Sequence, residues 1–182
     1  MDVNLIPTLE SDELLLRPWL PEFADDYLRI FGDKEVTDSC GIAPINTISD
    51  ARAKLRAFAK SKRTEWSIAL KNGGTPIIVG DIGICEVISI REYSNVKELG
   101  YGLGKEYWGQ GIMPKAIAVV EKYCFEDLES EAVIVRIVGG NTRSERTAEK
   151  CGYRYYSQKK IGTEYKKTYV KVFVNNVREG LI

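Results

Sequence analysis

The 182-residue chain contains no histidine. Nucleophile–imidazole pairs and His-ligated metals are therefore excluded, and proton transfer is left to Asp, Glu, Tyr, Cys, Lys, an amino terminus or water. Three segments carry residue types and spacings from which chemistry could be built. The first is 98–104 (ELGYGLG). On a strand, Gly100, Gly102 and Gly104 share one face while Leu99, Tyr101 and Leu103 share the other. A strand bare on one side is weak, so something must lie close against its backbone, either a neighbouring helix or a ligand.

The second segment is 106–114 (EYWGQGIMP). Gly109 and Gly111 stand where a strand gives way to a helix. Glycine there opens backbone conformations closed to other residues and removes the Cβ atoms that would hold an anion off the amides. The N–H groups of Gly109, Gln110, Gly111, Ile112 and Met113 can then point at a phosphate, aided by the helix dipole. Pro114 is tolerated in a first helical turn, where the helix does not use that N–H. The third segment is 141–153 (NTRSERTAEKCGY). Asn141 and Thr142 can cap a helix, on which Asn141, Ser144 and Ala148 fall within about 60° of one another. Arg143, Arg146 and Lys150 form a second stripe almost opposite, read as a solvated face in preference to an anion site. Ser144 by itself also fits a packing serine.

These segments need a scaffold. Residues 13–19 read as a first strand, stopped near Pro18. Residues 22–31 carry Phe23, Tyr27, Ile30 and Phe31 at helical spacing. Residues 49–62 open on the capping types Ser49 and Asp50 and read as a second helix. Strands follow at 65–71, 76–90 and 97–104, the first two joined by the turn signal Asn72-Gly73-Gly74. Residues 111–128 place Met113, Ala116, Ile117, Val120 and Cys124 on one helical stripe. The β-branched run 132–138 reads as a buried strand, 142–151 as a short helix closed by Gly152, and 153–158 and 165–174 as final strands. The strand–helix–strand connection through 111–128 implies a parallel pair inside a mostly antiparallel sheet. The expected class is α/β, with helices on both faces of a mixed sheet.

Composition narrows the function. Lys and Arg number 26, and so do Asp and Glu, giving zero formal net charge. That argues against nucleic-acid and anionic-membrane partners. A chain of this length reads as one domain, 1–182, with apolar residues enough for a core. Cys40, Cys85, Cys124 and Cys151 are widely spaced without a C-x-x-C, which disfavours zinc and dithiol chemistry. Cys85 and Cys124 sit among apolar neighbours and are expected in the core. No basic n-region leads a long apolar run, and no run approaches the roughly 18 residues of a membrane span. A reducing cytoplasm is the expected compartment.

Taken together, ELGYGLGKEYWGQGIMPKAI and NTRSERTAEKCGY resemble the GNAT family of acetyl-CoA-dependent N-acetyltransferases. Within it they are most similar to the RimJ/RimL type, which acetylates ribosomal-protein amino termini. LLLRPWLPEFADDYLRIF and VGDIGI (79–84) resemble the same subgroup, so the likeness runs over roughly residues 12–174. The resemblance implies a sheet splayed at its middle with the pantetheine arm of acetyl-CoA in the splay. The family holds pyrophosphate with a Q/R-x-x-G-x-G/A loop. Trp108 takes its first position here, Gly111 the fixed glycine and Met113 the last. No metal is implied.

The implied reaction is attack of a primary amine on the acetyl thioester in a ternary complex. A terminal α-amine is roughly one-tenth neutral at pH 7, a lysine well under a thousandth, so an α-amine needs only modest help. Glu98, two residues before Gly100, points to the glycine face and is the first candidate base; Asp81 on the neighbouring strand is the second. The competing account of Glu98 is a salt-bridged strand residue. A backbone N–H near Leu103 would stabilise the developing oxyanion. Many GNAT enzymes place a tyrosine on the last helix beside the leaving thiolate; that position is Ala148 here. In the RimJ/RimL type a serine serves, and it falls on Ser144. Asn141 would bond the pantetheine amides, and Tyr101 would lie along the same arm. Cys151 reads as packing. The acceptor is expected to be a protein or peptide amino terminus, contacted from 32–48 and 160–168. The alternatives are a small amine (polyamine, amino sugar or amino acid) or a GNAT-fold protein that binds acetyl-CoA without transfer. A homodimer fits the candidate exposed strands.

Overall fold

Eight strands join in one sheet in a computed structural model of the chain, which describes residues 6–87, 89–90 and 93–173. In chain order they are β1 (Leu9–Glu10), β2 (Leu14–Pro18), β3 (Thr64–Leu70), β4 (Ile77–Val87), β5 (Val96–Leu103), β6 (Ala132–Val138), β7 (Arg154–Ile161) and β8 (Glu164–Val172). Their order across the sheet is β1-β2-β3-β4-β5-β6-β8-β7. Only β5 and β6 run parallel, and α4 (Ile112–Lys122) makes the crossover between them, as parallel neighbours require. Three helices, α1 (Ala24–Phe31), α2 (Lys34–Cys40) and α3 (Ile48–Phe58), cover one face. The other face packs against α4 and α5 (Thr142–Lys150), which place Met113, Ala116, Ile117, Val120 and Ala148 on Trp66, Ile68, Ile82 and Leu99. The expected α/β sheet with helices on both faces is what forms.

Several elements differ from expectation. The 22–31 helix opens as a 3₁₀ turn, Pro21–Phe23, because Pro21 fits a first turn but donates nothing. Helix α3 is capped by Thr47, whose Oγ1 accepts from the Asp50 N–H, and not by Ser49 or Asp50. The helix expected to 128 continues α4 through one wider π turn, Tyr123–Asp127. Helix α2 has no apolar stripe to announce it. Its KEVTDSC sequence buries only Val36 and Thr37, and it is nucleated by Asp33, which accepts from the Glu35 and Val36 N–H groups. The expected strands 76–90 and 165–174 end at Val87 and Val172; residues 88 and 174 lie outside the described residues. Cys124 is in the core as expected, but Cys85 is half-buried, with the Arg63 guanidinium 3.4 Å from its sulfur.

The sheet splits at its centre. β5 pairs with β6 only where 96–99 meet 132–135. Beyond that, 100–103 stay with β4 while 136–138 stay with β8. A bulge on β4 sits at the same level: Ile68 faces Gly80 and Ala69 faces Ile78, leaving Val79 over. The extra residue sharpens the local twist and helps carry β5 away from β6.

The glycine face of β5 is filled by protein. A Cβ on Gly102 would stand 3.0 Å from the Phe31 ring and 3.2 Å from the Cys40 sulfur, and one on Gly100 would stand 3.1 Å from the Arg63 guanidinium. Of the two explanations for the bare strand, close helix packing holds at Gly102, while Gly100 is met by Arg63 from the loop before β3; the ligand-sized opening is at the strand's edge. Gly83 on β4 is under the same constraint, since its Cβ would fall inside the Glu65 carboxylate, which Arg63 pins in place. Gly83→Ala is expected to cost about 1–3 kcal/mol through overpacking of that ion pair. A thermal melt checks this, and an unchanged midpoint refutes the packing account. No helix among the described residues is long and apolar enough to cross a membrane.

Candidate active site

The split encloses a cleft of about 570 Å³. One lip is 99–103 of β5, the other 135–138 of β6, and the N-terminal ends of α4 and α5 close it above and below. Ser39 and Cys40 reach it from α2.

The β5 lip offers backbone donors. The Gly104 N–H bonds the Val79 carbonyl at 2.8 Å on the β4 side. Backbone groups of successive residues point to opposite edges, so those of Leu103 and Tyr101 turn toward the departed β6. Their carbonyls are engaged, Tyr101 by the Cys40 thiol at 3.8 Å and Leu103 by the Trp108 indole N–H at 2.8 Å. The two N–H groups are left directed into the cleft.

The strand-to-helix loop adds a second set. Gly109 and Gly111 have φ of 76° and 74°, in the left-handed region, and no atom lies within 4 Å of where their Cβ atoms would be. Gly111 begins α4, and no side chain caps its first-turn amides. A helix end in this state is an open anion cradle, with partial positive charge and unsatisfied donors. Trp108, Gly109, Gly111, Ile112 and Met113 all line the cleft. Gln110 does not, because its side-chain amide turns back to the Glu106 carbonyl at 2.8 Å.

Helix α5 supplies the opposing wall. Asn141 caps it by accepting from the Ser144 N–H at 3.0 Å, and its side-chain N–H bonds the Ser39 carbonyl at 2.8 Å, tying α5 to α2. One N–H and one lone pair of the Asn141 amide remain for the cleft. The Ser144 hydroxyl meets the Tyr101 hydroxyl at 2.8 Å. The basic stripe is not a purely solvated face: Arg143, Arg146 and Lys150 line the cleft, because α5 lies across the open end of the split. The Arg143 guanidinium stacks 3.3 Å from the centre of the Trp108 ring, bridging α5 to the loop before α4. Helical periodicity shows which residues share a stripe but not what the stripe overlooks.

The two candidate bases fare differently. Glu98 is paired with Arg136 of β6, which lines the cleft; neither Glu98 nor Asp81 lines it itself. Asp81 faces Gly102 across the β4–β5 ladder and is half-buried, with Tyr27 of α1 and Cys40 of α2 near enough to feel its charge. Burial first, and then the negative charge of Glu65, raise the Asp81 carboxyl well above the usual carboxylate range. Arg63, Lys54 and the Gly102 N–H pull the other way without reversing it. Burial also pushes the Cys40 thiol up to about 11 and raises Cys151, so neither is a poised thiolate.

Residues 13–154 match the family model for the acetyltransferase (GNAT) domain. The uncharacterized N-acetyltransferase p20 of Bacillus licheniformis is 28% identical over 141 residues, covering 75% of this chain and 76% of that one. A Bacillus subtilis chain provisionally named a ribosomal N-acetyltransferase, YdaF, is 32% identical over 85 residues, or 45% of this chain and 46% of that one. Among solved structures, a GNAT-family acetyltransferase from Bacillus anthracis superposes with a TM-score of 0.78 at 22% identity, over 91% of this chain and 98% of the other. The Microcin C7 self-immunity acetyltransferase MccE, solved with acetyl-CoA and AMP, does so with a TM-score of 0.74 at 21% identity, over 94% of this chain and all of that one (100%).

Proposed function

The chain belongs to the GNAT acetyltransferase family and is an N-acetyltransferase, and on that premise we propose that it moves an acetyl group from acetyl-CoA to the N-terminal α-amine of a protein or peptide. The observation that carries the reading is the open glycine cradle at the start of α4, set beside a cleft between parted strands. Its fit to acetyl-CoA rests on three features. The amides of Gly109 to Met113 suit a pyrophosphate, the Tyr101 N–H suits the amide-bearing arm, and Arg143, Arg146 and Lys150 supply positive charge. Acetyl-CoA supplies an acetyl group on a sulfur leaving group.

The protein's own residues do the rest. The Leu103 N–H is placed to meet negative charge developing on the acetyl oxygen. Asp81 takes the proton lost by the amine, relayed by water, since it stands on β4 opposite Gly102, one strand back from the split. The Arg136 guanidinium occupies Glu98, so the role assigned first to Glu98 passes to Asp81. Ser144 faces the departing sulfur. An α-amine suits this modest machinery because its pKa, ≈ 7.7–8.0, leaves roughly a tenth of it neutral at pH 7. The likeness to YdaF supports the RimJ/RimL type and an amino-terminal acceptor. Residues 1–182 are read as one catalytic domain, and four free cysteines fit a reducing cytoplasm.

The test is release of free thiol from acetyl-CoA against peptides with free amino termini, the same peptides N-terminally blocked but bearing lysine, and small amines. The expected result is turnover with free amino termini alone. Turnover confined to polyamines, amino sugars or amino acids replaces the acceptor, and tight acetyl-CoA binding with no turnover replaces the activity.

A further inference from the structure

We propose that Tyr101 is a positioning residue for the leaving group, acting through Ser144 by aiming the serine proton into the cleft. The inference rests on the acetyl-transfer reading and deepens it.

Tyr101 lies on β5 two residues beyond Leu99, the last residue paired with β6, so it stands within the split itself. Its ring packs on the core side with Leu99 and Leu103. Its hydroxyl crosses the gap to α5, where its single proton has two acceptors in reach, the Ser144 Oγ at 2.8 Å and the Ser144 carbonyl at 3.3 Å. The Ser144 N–H is held separately by Asn141. The serine is therefore held at its amide by Asn141 and at its hydroxyl by Tyr101.

We assign the tyrosine proton to the shorter of the two contacts, the one to Oγ, and that assignment sets which way the serine proton points. Burial pushes the Tyr101 hydroxyl up to about 12, so it stays protonated over the working pH range and remains a donor. A serine hydroxyl has one proton and two lone pairs. When Tyr101 donates to one lone pair, the serine proton is free for an acceptor in the cleft, and both residues line it. As the amine nitrogen bonds the acetyl carbon and the C–S bond breaks, the electron pair passes to sulfur. The thiolate then accepts a hydrogen bond from Ser144 while Ser144 accepts one from Tyr101. No proton leaves the tyrosine. The amine's proton goes to Asp81, and the thiolate is protonated by solvent on release.

The experiment is a double-mutant cycle of Tyr101→Phe and Ser144→Ala, read by kcat and by calorimetric Kd for acetyl-CoA. Tyr101→Phe removes one oxygen and keeps the packed ring. It should lower kcat about 10-fold, or about 1.4 kcal/mol of barrier, with Kd changed less than about threefold. In the Ser144→Ala background it should lower kcat no further, because the group it aims is gone. A purely structural tyrosine would instead shift Kd and multiply its loss in both backgrounds. Unchanged kcat in Tyr101→Phe, or fully multiplicative losses, overturns the inference while leaving acetyl transfer intact. A parent enzyme that binds acetyl-CoA without turnover overturns both.

Discussion

Gly111→Asp should abolish acetyl-CoA binding, weakening it at least 100-fold by calorimetry, while the fold survives. The position is in the left-handed region at φ 74°, and no atom lies within 4 Å of the added Cβ. Aspartate is among the few residues that visit this conformation, at a cost of about 1–2 kcal/mol. The expected thermal midpoint therefore falls only a few degrees. Binding suffers much more, because the new carboxylate enters the ring of amides from Gly109 to Met113. There it repels a pyrophosphate and also competes for the same N–H groups as an internal anion. Gly111→Ala separates the two effects: it shares the backbone strain but adds no charge, so it should lose under about tenfold in affinity. If the aspartate variant bound acetyl-CoA like the parent, the cradle would be placed wrongly. If alanine were as damaging, strain and not charge would be the cause.

The cradle was legible from sequence because its physics is local. Two glycines and a following apolar stripe specify a strand end, an uncapped helix start and room for an anion within about six residues. Asn141 was legible as a helix cap for the same reason, whereas the role given to Ser144 came from the family resemblance and not from its spacing. What resisted reading depends on the packing of distant segments. The three glycines of β5 state that something lies close. Only the arrival of Phe31 and Cys40 from two helices decides that it is protein on that face and that the opening is at the strand's edge. The Arg143–Arg146–Lys150 stripe has the same periodicity whether it faces solvent or a cleft, and α2 has too few buried residues to register as periodic at all. Glu98 and Asp81 show the limit most clearly. Both follow from strand alternation, but their rank turns on Arg136, Glu65 and Arg63, which come from other strands and a loop.

That rank predicts the second large effect. Asp81→Asn should lower kcat by about 10²–10⁴-fold, the usual yield of a positioned general base, whereas Glu98→Gln should cost under threefold, since it removes a partly exposed ion pair. The pH dependence distinguishes the base from any other role. Asp81 works only when deprotonated, and burial and Glu65 raise its carboxyl well above the ordinary range. The parent's kcat/KM should therefore fall as pH drops through that raised value, well above where a surface aspartate would titrate. Glu65→Gln removes the like charge and leaves Arg63 uncompensated. Both changes favour the ionised form, so the acid limb should move to lower pH. Stability should run against activity. A carboxyl with a raised folded-state pKa binds more protons folded than unfolded, so its contribution to stability declines as pH rises through the window between the two values. Asn at position 81 carries no such penalty, and at pH 8 the variant should melt no lower than the parent while losing turnover. A variant that keeps its turnover, or a collapse in Glu98→Gln instead, would return the base to Glu98. A loss of activity matched by a loss of stability at pH 8 would make Asp81 a structural residue.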